Sequence, residues 1–145
     1  MRKIIYTRPD GGLSVVHPVI NTHPRREGIT ETEAEQRAWN KLPKDAINPR
    51  WIDVAEIPTD RTFRNAWKDA AGRIDHDISK CREITKVRLR AERAPKLAAL
   101  DIEFMRALEQ GQPTEEIVAQ KQALRDITNQ VDSLSDLEAM KALKA

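Results

Sequence analysis

From Asp77 onward, apolar positions recur every three or four residues, the period of an amphipathic helix. Ile78, Cys81, Ile84 and Val87 come first, then Leu97, Leu100, Phe104 and Leu108. Asp77 precedes them as an N-cap, since its carboxylate accepts from the unpaired N–H groups of a first turn. Gly111 suits a left-handed C-cap and Pro113 blocks continuation. Thr114 starts again as an N-cap, with Glu115 and Glu116 placed favourably against the new helix dipole. Ile117, Leu124, Ile127 and Val131 supply the next apolar face. A turn this short forces the two helices antiparallel. The pattern therefore predicts a helical hairpin, with Leu97, Leu100, Phe104 and Leu108 facing Ile117, Leu124 and Ile127.

Pro95 interrupts the first of these helices. An interior proline removes a hydrogen bond and clashes one turn back, costing about 3 kcal/mol or more. Either the helix kinks near Ala91 to Ala94, or two helices meet there; helix formers on both sides favour a kink. From Ser133 a third, short helix is expected, with Ser135 and Glu138 as a capping box. Leu134, Leu137, Met140 and Leu143 form its stripe. Residues 77–145 are thus expected as a helical arm: a helix over 77–110 kinked near 95, a helix over 114–130 and a short helix over 134–144.

The first 76 residues change period. Lys3 to Thr7 and Leu13 to His17 are β-rich runs around the turn signal Pro9-Asp10-Gly11-Gly12, which predicts a β-hairpin. A lone hairpin is marginal in water, so it must pack further. Ile20 to Arg26 is expected as a loop. Thr30 and Glu33 form a capping box for a helix that Pro43 stops, with Ala34, Ala38, Trp39 and Leu42 on its buried face. Further strands are expected at Trp51 to Val54 and Phe63 to Lys68, the latter turning at Ala71-Gly72 into Arg73 to Asp75. Residues 1–76 are expected as a small α+β docking domain, near the lower size limit for a self-sufficient core. The fold class is α+β.

Composition adds less than distribution. The 145 residues carry 33% charged and only 4% aromatic side chains, which points to a helical, extended protein rather than a compact α/β enzyme. The net charge of +2 decides nothing. Lys80 to Lys96, however, holds seven basic and two acidic residues, and Leu97 to Ala145 five basic and nine acidic. The arm is electrically polar along its length. A row at helical spacing, Arg82, Lys86, Arg90 and Arg93, is either a solvated face, a contact for an acidic partner, or a phosphate-following face. No aromatic residues interleave for base stacking.

The remaining chemistry is sparse. One cysteine, Cys81, excludes an internal disulfide, and its place on the apolar stripe marks a core residue. His17, His23 and His76 show no ligand spacing, and Asp75-His76-Asp77 reads as a solvated turn rather than a cation site. No catalytic, cofactor-binding or metal-binding residues are assigned, and an enzyme is not expected. No apolar run approaches the roughly 20 residues that span a bilayer, and Arg8-Pro9 comes too soon for a signal peptide. Trp39, Trp51 and Trp67 all lie in the first half. They are expected as core, with Trp51 and Trp67 also as partner contacts beside Arg82, Lys86, Arg90 and Arg93.

Four stretches carry a resemblance. Arg2 to Pro18 (RKIIYTRPDGGLSVVHP), Asp60 to Trp67 (DRTFRNAW) and Ala94 to Leu108 (APKLAALDIEFMRAL) resemble a group of small bacteriophage and prophage proteins. Gln120 to Ile127 (QKQALRDI) is similar to the C-terminal part of phage tail-fibre assembly and related tail proteins. Those assembly proteins often end in a tryptophan- and proline-containing tail, whereas this chain has no tryptophan after Trp67. The resemblance implies a virion component of the tail or neck, made in a bacterial host cytoplasm, contacting other phage structural proteins and copies of itself. An assembly chaperone that leaves the particle, and a nucleic-acid-binding accessory, are the alternatives. The resemblance supplies no catalytic residues and no cofactor.

Overall fold

The structure, a computed structural model, describes residues 1–20 and 28–145. The loop expected from Ile20 to Arg26 falls almost entirely outside the described residues, as does His23. The chain is α+β and divides into two compact units, Met1–Asp77 and Ile78–Ala145.

In the first unit, β1 (Lys3–Thr7) pairs antiparallel with β2 (Leu13–Val16) and with β3 (Ile47–Ile52), giving the order β2-β1-β3. The β1–β2 turn closes through Gly11 N–H to the Arg8 carbonyl (2.9 Å), while the Asp10 carboxylate accepts from Gly12 N–H at 2.8 Å. Proline lacks a ladder donor, and Pro49 sits on β3, an edge strand, where that lack is tolerated. Asn48, with φ of 48°, coincides with a register shift against β1. The strand expected at Trp51 to Val54 therefore lies earlier, because Asp53 stops it. The Asp53 carboxylate accepts from Ala55 N–H and caps a 3-10 turn over Val54–Glu56.

Successive strand residues point to opposite faces of a sheet, and Ile4 and Ile5 are both fully buried. Both faces of β1 are thus covered. On the Ile5 face a cluster joins Leu13, Ile52 and Trp67, with Val15, Ile57 and Ile74 against it. The helix α1 (Glu31–Asn40) begins with the expected capping box, Glu33 N–H to Thr30 Oγ1 and Thr30 N–H to the Glu33 carboxylate. Its Ala34 is buried.

The strand expected at Phe63 to Lys68 is displaced. Arg64–Ala66 is a 3-10 turn, and β4 (Trp67–Ala70) pairs with β5 (Arg73–His76) around Ala71 and Gly72. Both turn residues take positive φ, 48° and 97°, the geometry that matches hairpin twist. Phe63, Ala66 and Trp67 are buried, so Asp60 to Trp67 is a core-forming turn.

In the second unit, α2 (Ile78–Glu109) runs as a single helix through Pro95. It ends where Gly111, φ 64°, allows Gln112 N–H to reach the Ala107 carbonyl at 2.8 Å and Gly111 N–H that of Leu108 at 3.1 Å. The helix α3 (Glu115–Gln130) returns against α2, giving the expected hairpin. The Thr114 hydroxyl makes no capping hydrogen bond; its carbonyl accepts from Val118 N–H instead. A 3-10 turn over Val131–Ser133 leads to α4 (Leu137–Ala142). The cap of α4 is Asp136, which accepts from Ala139 N–H at 2.9 Å, rather than Ser135.

The buried line of α2 differs from the one expected. Cys81, Thr85 and Leu89 are buried, while Val87 is largely exposed. Residues rotate by about 100° each around a helix. A strict spacing of three therefore carries Ile78 and Val87 to opposite sides, whereas a spacing of four stays near one face. Val131 and Met140 complete the buried set where α2 meets the turn and α4.

Candidate interaction surfaces

The first unit presents an aromatic platform. Trp39 of α1 and Trp51 of β3 stack with centroids 5.4 Å apart and planes at 22°. The Arg2 guanidinium lies 4.7 Å from the centre of the Trp51 ring. Glu35 holds that guanidinium through 2.8 Å to Oε2, and accepts from Arg2 backbone N–H at 2.9 Å. Those bonds hold the Glu35 carboxyl below the usual carboxylate range. Trp51 is thus half-buried under its neighbours. Trp67, expected as a partner contact, is a core residue at 2% exposure, because β4 lays it against Ile5 and Ile52. Arg50 pairs with Asp69 across to β4 at 2.8 Å.

The basic stretch of α2 turns largely inward. Arg82 donates to the Leu134 carbonyl at 2.8 Å. Arg88 donates to the carbonyls of Met140 (2.9 Å) and Leu143 (2.8 Å), at the end of α4. Arg93 reaches the carbonyl of Arg125 at 2.7 Å, and Lys96 that of Ala145. Lys86 pairs with Asp132 at 2.7 Å, which raises its pKa further. Glu92 accepts from Ala145 N–H and from Arg88, and both bonds lower its carboxyl pKa. Cations near a helix C-terminus are favoured by its unpaired carbonyls and dipole. Of the partner contacts expected on this helix, Arg82, Lys86 and Arg93 hold the unit together, and Arg90 is exposed. The sequence showed the spacing of these cations but not their acceptors, since every residue type supplies a carbonyl.

The residues expected in the hairpin seam differ in burial. Leu100 is buried, and Leu97, Phe104, Ile117, Leu124 and Ile127 are half-buried. Leu108 is 53% exposed. Two steps of four residues carry it about 80° around the helix from Leu100, and half-buried Ala107 takes the inward place. Beside the seam lies an open groove of about 470 Å³, floored by Ala99, Leu100, Ala123 and Leu124 and edged by Lys96, Glu103 and Gln120.

A second apolar face of α2 stays exposed, and it includes Val87, which the sequence places on the apolar stripe. Val87, Ile102 and Met105 are 61%, 55% and 56% exposed, and Ala91, Ala94 and Ala98 between them are exposed too. Their spacing of four, three, four, four and three was visible in the sequence. The positions Leu97, Leu100, Phe104 and Leu108 already account for one apolar face, so periodicity alone does not single out a second.

Among the described residues no three His, Cys, Asp or Glu side chains gather where a metal ion would sit, and no helix is long and apolar enough to cross a membrane. Comparison with family models, curated proteins and solved structures found no match.

Proposed function

We propose that this chain is a structural component of a bacteriophage particle, placed in its tail or neck and working through protein–protein contacts. The observation supporting a contact role is the outer face of α2, where six apolar residues from Val87 to Met105 stay exposed along one side. An apolar stripe of this length on a soluble helix calls for a protein cover. The phage setting rests on the resemblance of Arg2 to Pro18, Asp60 to Trp67, Ala94 to Leu108 and Gln120 to Ile127. The inward turn of Arg82, Lys86 and Arg93 weighs against the phosphate-following alternative.

Quantitative mass spectrometry of purified infectious particles tests the proposal. A fixed ratio to the portal protein is the expected result. A chain abundant in infected cells and missing from particles would be an assembly factor, and the structural reading would fall.

A further inference from the structure

We infer that the outer edge of β2 takes an extended segment of a partner protein, added as a further strand and carrying aspartate or glutamate at alternate positions. This deepens the contact role, on which it rests, by giving the first unit a partner of its own. The ladder shows which groups face outward. Arg8 N–H donates to the Gly12 carbonyl at 2.8 Å, so Arg8 turns its main-chain groups toward β2. Bonding direction alternates along an antiparallel pair. Tyr6 and Ile4 therefore bond Ser14 and Val16, their partners in register, while Leu13 and Val15 point their main-chain groups away. Among the described residues no strand lies beyond β2 in its sheet. The Arg8 guanidinium, crossing over Gly12 where a Cβ would collide with it, closes the Leu13 carbonyl at 3.3 Å. The Leu13 N–H and both main-chain groups of Val15 have no partner among the described residues. The other edge of the sheet is blunted, since Pro49 of β3 has no N–H and Asn48 sits at a break in register. Leu13–Val16 carries neither proline nor charge. A donor beside an acceptor is answered by another peptide backbone; a phosphate supplies acceptors alone.

Charge selects the side chains. A slot of about 240 Å³ along this edge is lined by Leu13–Val16 together with Tyr6, Arg8, Arg64 and Asn65. Arg8 is committed to Asp10, Leu13 and Ser14. Lys3, Arg61 and Arg64 make no ion pair among the described residues. Partial desolvation, then the charges of Lys3, Arg61 and Arg64, lower the pKa of His17, the residue that follows β2. Three cations thus gather where the edge ends. Side chains alternate in direction along a strand, so acidic residues at every second position of the added strand share one face and can meet these cations together.

A capped heptapeptide alternating aspartate and valine is the probe, titrated into the full chain. Binding should slow hydrogen exchange at the Leu13 and Val15 amides and leave Ser14 and Val16, already bonded to β1, unchanged. It should weaken several-fold in Arg64→Glu and with added salt. Changes to the probe leave the fold of the protein untouched. An added strand bonds through alternate residues only. N-methylation of the valines in one peptide and of the aspartates in another should therefore abolish binding in one and spare it in the other. Lysine in place of aspartate should abolish it. No protection at millimolar peptide overturns the inference, as does equal binding by the two methylated peptides or by the lysine peptide. Tighter binding of a single-stranded oligonucleotide overturns it too. None of these results bears on whether the chain is found in particles, which mass spectrometry decides separately.

Discussion

The guanidinium of Arg82 bonds the backbone carbonyl of Leu134, at 2.8 Å and 52 residues further along the chain. The same helix repeats the device with Arg88, Arg93 and Lys96. A stretch that looks like a solvated basic face is therefore a row of clamps. Replacing Arg82 with Met keeps the apolar stem and removes the donor. A charge-assisted hydrogen bond, discounted for partial exposure, makes the cost about 1 kcal/mol. Arg88→Met, which loses two carbonyl bonds and the Glu92 pair, should cost more. Chemical unfolding followed by helical circular dichroism checks both; unchanged midpoints would mean the clamps carry no stability.

Leu100 and Leu108 stand eight residues apart on one helix and should respond differently. Leu100→Ala empties a buried position at 9% exposure and should cost about 2–3 kcal/mol. Leu108→Ala should cost less than about 0.5 kcal/mol in the monomer. Leu100→Asp should abolish the hairpin altogether, because it sets a charge in the seam. Equal effects at the two positions would contradict the described facing.

Pro95 lies within α2, exposed, with no N–H to offer the Ala91 carbonyl one turn back. Pro95→Ala restores that bond and removes the ring clash, so it should raise the melting temperature of the helical unit, by up to about 3 kcal/mol in stability. A lowered melting temperature would show that the ring makes a contact worth more than the bond.

Acid should loosen the helical unit through Glu92. Ala145 N–H and Arg88 hold its folded pKa below the ordinary carboxylate value, so its contribution is fully present above the unfolded value. That contribution is lost as the pH falls through the lower folded value. Melting temperature should hold between pH 7 and the ordinary carboxylate range and drop below it, and Glu92→Gln should flatten the drop. An acid limb identical in the variant would assign the loss to other carboxylates.

Caps offer a finer check. Asp136→Ala removes the oxygen that accepts from Ala139 N–H and should cost about 1 kcal/mol, whereas Ser135→Ala should be nearly neutral. The reverse order would move the start of α4 by one residue.

The fold was legible wherever local chemistry decided it. Thr30 and Glu33 announced α1, Gly111 and Pro113 the hairpin turn, and Asp10-Gly11-Gly12 the first β-turn. Errors arose where tertiary packing chose among equivalent local options. Within the strand expected from Phe63 to Lys68, only Phe63 and Trp67 favour extended backbone; Arg64–Ala66 forms a 3-10 turn, and Phe63, Ala66 and Trp67 are all buried. Spacing alone places Val87 and Leu108 inside, and helical drift turns both outward. For the surfaces, residue type gave positions and not partners. Nothing in Arg82 or Arg93 declares whether it meets a phosphate, a carboxylate or a peptide oxygen.

The clamps have a consequence for how substitutions are tolerated. Arg82, Arg88 and Arg93 take hold of peptide oxygens, which any residue type supplies equally well. Leu134, Leu143 and Arg125 can thus be exchanged for other side chains without losing the acceptor, provided the main chain keeps its path. The grip is blind to identity on the receiving side and demanding on the giving side. A saturation library scored for folding should show this as a lopsided map, nearly silent at exposed Arg125, tolerant of other apolar residues at half-buried Leu134 and Leu143, and more sensitive at the three arginines.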